Sequence, residues 1–148
     1  MASLLQTVVL TASTGPVVDA AARLGVNPEW PFLPVTSSLP DGKALRFIES
    51  LFGQNPNLAQ VDELAEYLAL SSACHAIDGW RYISQSAFAF LNGSRTQALH
   101  LAYYAELRAA LSILSRSGIG VLKYKHFALT AGRGVTWFLD EAAGKLLE

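Results

Sequence analysis

The chain has 148 residues, a length that suits one domain with its own hydrophobic core. Its net charge of −1 excludes a strong electrostatic attraction to duplex DNA or anionic lipid, and its single cysteine excludes an internal disulfide. Only 16% of the residues are charged, against about 25% in typical soluble domains. We therefore expect part of the surface to be covered, either by a partner or because the sequence is the N-terminal part of a longer protein.

The N-terminal residues lack a basic segment before their apolar stretch, and no run of about 18 apolar residues occurs without a charged or polar interruption. This pattern predicts a protein without a membrane-spanning helix, located in the cytoplasm. The cysteine, Cys74, lies among alanines, which predicts an ordinary buried thiol.

The first third of the chain predicts two helices separated by a loop. Residues 4–11 are rich in β-branched side chains and predict a short strand or an irregular lead-in. A helix is expected from Pro16 to about Leu24, where Gly25 would stop it. Residues 27–40 contain four prolines and predict a loop, after which residues 42–52 show helical spacing of apolar positions.

The middle of the chain predicts a second pair of helical segments. Residues 58–76 have an apolar side and a charged side, as an amphipathic helix requires. Residues 77–91 are apolar almost all round, which predicts a helix buried on more than one side. Gly79 is expected to mark a kink, or the join between two helices.

A long helix is predicted to begin at Ser94. Ser94 and Gln97 match a capping box, in which the serine side chain and the glutamine three residues later satisfy exposed backbone N–H groups. This helix should run to about Ser117, where Gly118 follows. The capping pattern makes this the central helix of the predicted domain.

The C-terminal part predicts a small β hairpin. Residues 121–130 and 135–138 carry alternating or β-branched residues around a glycine-rich turn, within an expected hairpin region of 121–138. Alternating βαβ units are absent, which excludes a Rossmann fold or a barrel. The predicted fold is therefore a single mainly α domain over residues 1–148. It is a bundle of four to five helices with a core at about residues 42–120 and a small C-terminal β hairpin.

Polar side chains with catalytic potential gather at the start of the long helix. Arg95 takes the first helical position, beside unsatisfied backbone N–H groups that favour an anion. His100 points about 140° away around the helix axis. Tyr103 and Tyr104 follow three and four residues later on the face of His100, and Arg108 continues the row.

This set could cleave RNA without a metal. A neutral His100 would act as general base toward a 2′-hydroxyl, or its protonated form as acid toward the leaving oxygen. Arg95 would stabilise the charged transition state, and a tyrosine would hold the phosphate or stack on a base. Because one histidine cannot be acid and base at once, a symmetric dimer would supply the second from the other chain.

The segment Arg95-Thr-Gln-Ala-Leu-His100, followed by Leu-Ala-Tyr-Tyr-Ala, resembles the R-x4–6-H motif of the HEPN superfamily over about residues 59–120. The resemblance implies a homodimeric ribonuclease with a composite site, of the kind found in toxin–antitoxin and phage-defence systems, with an antitoxin or another protein as a partner. By position, Arg95 and His100 match the catalytic pair. The residues expected to bind RNA are Thr96, Tyr103, Tyr104 and Arg108, and no metal or cofactor is expected.

A second hypothesis is that the bundle is a non-catalytic interaction or dimerisation module of a defence or regulatory complex. The low charge content favours it, as does Thr96, where active HEPN members usually have Asn, Asp or His. Two further histidines have structural interpretations. His75 and Asp78 would form a structural pair on one helix, and His126 would lie on the solvated side of a strand or on a basic edge that touches RNA.

Overall fold

The computed structural model describes residues 4–25, 44–122 and 125–139. Within them the chain is mainly α, as predicted, with five helices followed by a three-stranded antiparallel sheet. The helices are α1 (Leu4–Thr11), α2 (Gly15–Gly25), α3 (Ala44–Leu51), α4 (Leu58–Leu91) and α5 (Arg95–Arg116). The strands are β1 (Ile119–Val121), β2 (Lys125–Leu129) and β3 (Val135–Leu139). The predicted proline-rich loop, residues 27–40, lies outside the described residues.

The hydrophobic core lies at one end of the molecule. It joins α2, α3, the first third of α4 and the sheet, with the largest fully buried side chains at Phe127, Ile48, Leu64, Leu68, Leu129 and Val61. The indole N–H of Trp137 on β3 donates to the Gln54 carbonyl oxygen across 2.9 Å, which fixes the sheet to the turn before α4. The rest of α4 and most of α5 extend away from this core as a helical hairpin.

The segment 4–11 is a helix, so the predicted strand or irregular lead-in is wrong. Extended pairing begins only after it. Ala12 forms an isolated antiparallel bridge with Thr130, and the Ser13 N–H donates to the Leu129 carbonyl across 2.8 Å. β-Branched residues favour strands where a neighbouring strand supplies backbone partners, and that pairing starts beyond the segment.

The capping box occurs at α4 and not at α5. The Asn57 side chain accepts from the Gln60 N–H at 3.0 Å, and the Gln60 side chain accepts from the Asn57 N–H at 2.9 Å. Ser94 does precede α5, but its side chain makes no capping hydrogen bond. Its ψ of 66° differs from the extended 170° of Asn57, because it ends a tight turn through Gly93. The start and end of the predicted long helix are confirmed, and its capping box is wrong.

Gly79 does not divide the chain into two helices, so the predicted join is wrong. α4 runs unbroken for 34 residues. A Cβ at Gly79 would lie 3.6 Å from the Ala105 carbonyl oxygen of α5. The glycine therefore marks a close approach of two helices. The absence of a side chain is explained by this contact and not by a break in the helix.

The predicted hairpin is confirmed as β2 and β3, which pair in register from Lys125 opposite Leu139 to Leu129 opposite Val135. A third strand, β1, was not predicted. It follows the end of α5 directly and pairs with β2, with Gly120 opposite Phe127. Gly120 leaves the space that the Phe127 ring occupies.

Two burial predictions are wrong. Residues 77–91 are not buried on several sides, because Trp80, Phe88 and Phe90 are 75%, 70% and 62% exposed. Cys74 is exposed as well. In its second half α4 contacts α5 along one side only. The described residues do not cover its other sides, and Cys74 lies on one of these. In those residues no helix is long and apolar enough to cross a membrane.

Candidate functional site

The contact between α4 and α5 is built from small residues. Ser72 and Ser112 exchange hydrogen bonds, each hydroxyl donating to the other's carbonyl oxygen, at 3.1 and 2.8 Å. The Ser86 hydroxyl donates to the Ala98 carbonyl at 2.7 Å. A hydroxyl that reaches the backbone of the facing helix requires the two helices to lie close together. We call this contact the small-residue seam.

The seam repeats every seven residues on both helices. Small side chains occur at Ser72, Gly79 and Ser86 on α4, and at Ala98, Ala105 and Ser112 on α5. A seven-residue repeat keeps one side of each helix toward its partner over many turns. This double repeat is the sequence signal that could have revealed the hairpin before the structure was known.

Close packing of small residues leaves the large apolar side chains at the flanks of the seam. On one flank they border a continuous depression, which we call the apolar trough. Its α4 side is formed by Ala76, Gly79, Trp80, Ile83, Ala87 and Phe90. Its α5 side includes Arg95, Leu99, Ala102, Glu106, Ala109 and Ile113.

The trough is exposed and almost wholly apolar. Trp80, Leu99 and Ile113 are 75%, 73% and 66% exposed. Its wider half encloses about 490 Å³, within the range of small-molecule pockets, but such pockets also carry several convergent polar groups. In this half the polar side-chain groups are the Glu106 carboxylate, the Trp80 indole N–H and the hydroxyl of Ser112, which already bonds to Ser72. The lining of the trough is therefore almost purely apolar.

The other flank of the seam is polar and aromatic. Arg108 of α5 donates to His75 Nδ1 across 3.0 Å and lies 3.7 Å from the Asp78 carboxylate. Burial lowers the pKa of His75, the Arg108 charge lowers it further, and Asp78 partly offsets both. The Tyr82 and Tyr104 rings lie 5.6 Å apart beside this cluster. His75 and Asp78 therefore both contact Arg108 of α5, a residue that the predicted pair did not include.

The residues predicted to cleave RNA lie on different sides of α5. Arg95 is the first residue of the helix, as expected, and its exposed side chain borders the trough. His100 is exposed but is not among the residues that line the trough. Their sequence separation places them about 140° apart around the helix axis. Within one chain the two side chains therefore face different surfaces.

The predicted RNA-binding residues are also divided. Tyr103 and Tyr104 are exposed neighbours whose rings lie 5.8 Å apart, and Thr96 is exposed near the helix start. Arg108 turns toward α4 and is held by His75 and Asp78. His126 lies on β2, where its Nδ1 accepts from the Leu122 N–H at 3.2 Å and its ring packs 5.3 Å from that of Phe138. The described residues contain no group of three His, Cys, Asp or Glu side chains arranged to hold a metal ion.

No protein-family model, curated protein or solved structure matches the chain.

Proposed function

We propose that this protein is a helical interaction module whose α4–α5 hairpin docks on another helical protein surface through the apolar trough. One observation carries this proposal: large apolar side chains of both helices border a single depression and are exposed to water. Monomeric proteins rarely expose contiguous apolar patches larger than a few hundred Å², and larger patches mark sites of association.

The pattern along the trough specifies a helical partner. Its α4 residues Ala76, Trp80, Ile83, Ala87 and Phe90 follow one another at alternating intervals of four and three. Its α5 residues from Arg95 to Ile113 do the same. This spacing is the one by which helices pack along their length in coiled coils and helical bundles.

Two measurements on the purified protein test the proposal. One is the binding of a dye that fluoresces on apolar surfaces, and the other is the mass of the protein in solution, which shows whether it is assembled. The first variant is Ala102→Glu, which places a charge on the trough floor, and the matched control is Ala110→Glu on an exposed position of α5 outside the trough. We expect Ala102→Glu alone to lower either the assembled mass or, if the protein is a monomer, dye binding. A monomer that binds no dye would overturn the proposal, because another part of the chain would then fill the trough.

A second candidate function is metal-independent RNA cleavage by a dimer of the HEPN type, in a toxin–antitoxin or phage-defence setting. The exposure of Arg95, His100 and Tyr103 at one end of α5 favours it, since RNA could reach all three. Incubation with RNA in EDTA tests this function. Cleavage should be lost in His100→Ala and kept in Thr130→Ala at the sheet, and equal cleavage by wild type and His100→Ala would refute it.

A further inference from the structure

We infer that the trough is filled by a second copy of this chain, related by a two-fold axis that crosses the trough at the level of Ile83. This inference rests on the proposed function and names the partner. A two-fold interface must be complementary to itself, because each residue meets the symmetry-related surface of the other copy. The trough meets this condition in charge, in side-chain size and in position along both helices.

Charge gives the first match. Among the residues that line the trough, the charged ones are Arg95 and Glu106, which lie three turns apart on the same side of α5. Within the described part of the chain neither forms an ion pair. Two α5 helices packed antiparallel, with the axis midway between these residues, bring each Arg95 opposite the partner's Glu106. The two-fold symmetry makes two such ion pairs in each dimer.

Side-chain size gives the second match. On α5 the same axis lies midway between Leu99 and Ala102, so each leucine faces the alanine of the other copy. On α4 an axis at Ile83 brings Trp80 of one copy opposite the small residues Ser86 and Ala87 of the other. A large residue opposite a small one at each step is the arrangement that fills an interface without voids or overlap.

The ends of the α4 stripe follow the same rule. Ala76 and Phe90 lie seven residues on either side of Ile83, so the axis brings the exposed phenylalanine of one copy opposite the alanine of the other. The stripe on α4 is therefore self-complementary over its whole length, from Ala76 to Phe90.

Position along the hairpin gives the third match. The hydrogen bond from Ser86 to Ala98 and the paired bonds of Ser72 and Ser112 show which residues of the two helices lie level with each other. Because the two helices are antiparallel, positions that lie level are found by counting back on α4 and forward on α5. About three residues back from Ser86 is Ile83, and about three residues forward from Ala98 is the midpoint of Leu99 and Ala102. The α4 stripe and the part of the α5 stripe from Arg95 to Glu106 are thus centred at one level, as a single axis requires, while Ala109 and Ile113 lie beyond the matched part.

The dimer and the catalytic hypothesis compete for Arg95. In the dimer its guanidinium pairs with Glu106 of the other copy, and His100 lies on the outer side of α5. Loss of the dimer in Arg95 variants would therefore have a structural cause, independent of any RNA cleavage.

Two charge-reversal variants, measured separately and then mixed, test the pairing of Arg95 with Glu106 of the other copy. We expect Arg95→Glu and Glu106→Arg to raise the dimer dissociation constant about 10- to 100-fold each, since each sets like charges opposite one another. An equimolar mixture of the two variants should form a heterodimer of wild-type affinity, because both charge pairs are restored. Arg81→Glu on the exposed surface of α4 is the matched control and should leave the dimer unchanged.

A cysteine at the axis tests the position. In a Cys74→Ala background, Ile83→Cys should form a disulfide between copies on mild oxidation, because a residue at a two-fold axis meets itself. Phe88→Cys, on another side of α4, should not. A dimer that neither reversal weakens, or that Phe88→Cys links as well as Ile83→Cys, would overturn the inference. A monomer that binds apolar dye would also overturn it, yet leave the interaction module standing with a different partner.

Discussion

Nη1 of Arg108 donates a hydrogen bond to Nδ1 of His75 across 3.0 Å and joins α5 to α4. Since arginine has only donors, this nitrogen of His75 must accept and therefore carries no proton. Burial and the Arg108 charge lower the pKa of His75, and the Asp78 carboxylate partly restores it. The bond between the two helices thus depends on a neutral imidazole.

Stability should therefore depend on pH in the range where His75 titrates. Its pKa in the folded chain lies below the ordinary value of 6.5, so the unfolded chain binds the proton more readily. The contribution to stability is complete above about pH 6.5 and is lost as the pH falls through the lower folded-state pKa. Chemical unfolding of wild type and His75→Gln across this range should show a steeper fall for wild type. Equal slopes would contradict the prediction.

The two helix starts should respond differently to alanine. Asn57→Ala removes the side-chain oxygen that accepts from the Gln60 N–H, leaves the backbone N–H that donates to the Gln60 side chain, and should lower the free energy of unfolding by about 1 kcal/mol. Ser94→Ala removes a side chain that makes no capping hydrogen bond and should change it far less. Urea unfolding of the two variants provides the comparison, and a larger loss for Ser94→Ala would refute it.

Gly79 should accept a methyl group and nothing much larger. A Cβ there would meet its nearest neighbours at 3.6 to 3.8 Å, which is ordinary van der Waals contact. Gly79→Ala should therefore raise the free energy of unfolding by about 0.5–1 kcal/mol through better helix propensity. Gly79→Leu should lower it, because the added atoms would push α5 away. Thermal unfolding measures both, and a stabilising leucine would show that the seam is looser than described.

Gly120 should not accept even a methyl group. A Cβ at this position would overlap the Phe127 ring, which is fully buried in the core. We expect Gly120→Ala to lower the free energy of unfolding by about 1–3 kcal/mol. Gly132→Ala in the exposed turn before β3 is the matched control, since a Cβ there meets nothing within 4 Å. Similar losses in the two variants would contradict the packing argument.

The sequence by itself determined the local elements whose causes are local. The presence of α2, the turn before α4, the extent of α5 and the pairing of β2 with β3 follow from glycines, helical spacing and β-branched alternation. The placement of Arg95 at the first position of α5 follows in the same way. The resemblance to HEPN proteins and the RNA-cleaving role of His100 stay predictions.

Tertiary structure decided what depends on contacts between distant segments. In the sequence, a glycine that ends a helix cannot be told from a glycine that lets a neighbouring helix come close. Only the position of Ala105 beside Gly79 shows that the second explanation applies. The apolar run from residue 77 to residue 91 predicts burial, but burial needs a covering surface. The described residues of one chain cover only the seam side of that run. The pattern of charge and side-chain size around Ile83 involves both helices. It can be interpreted as one surface only because the seam hydrogen bonds show which residues of α4 and α5 lie level.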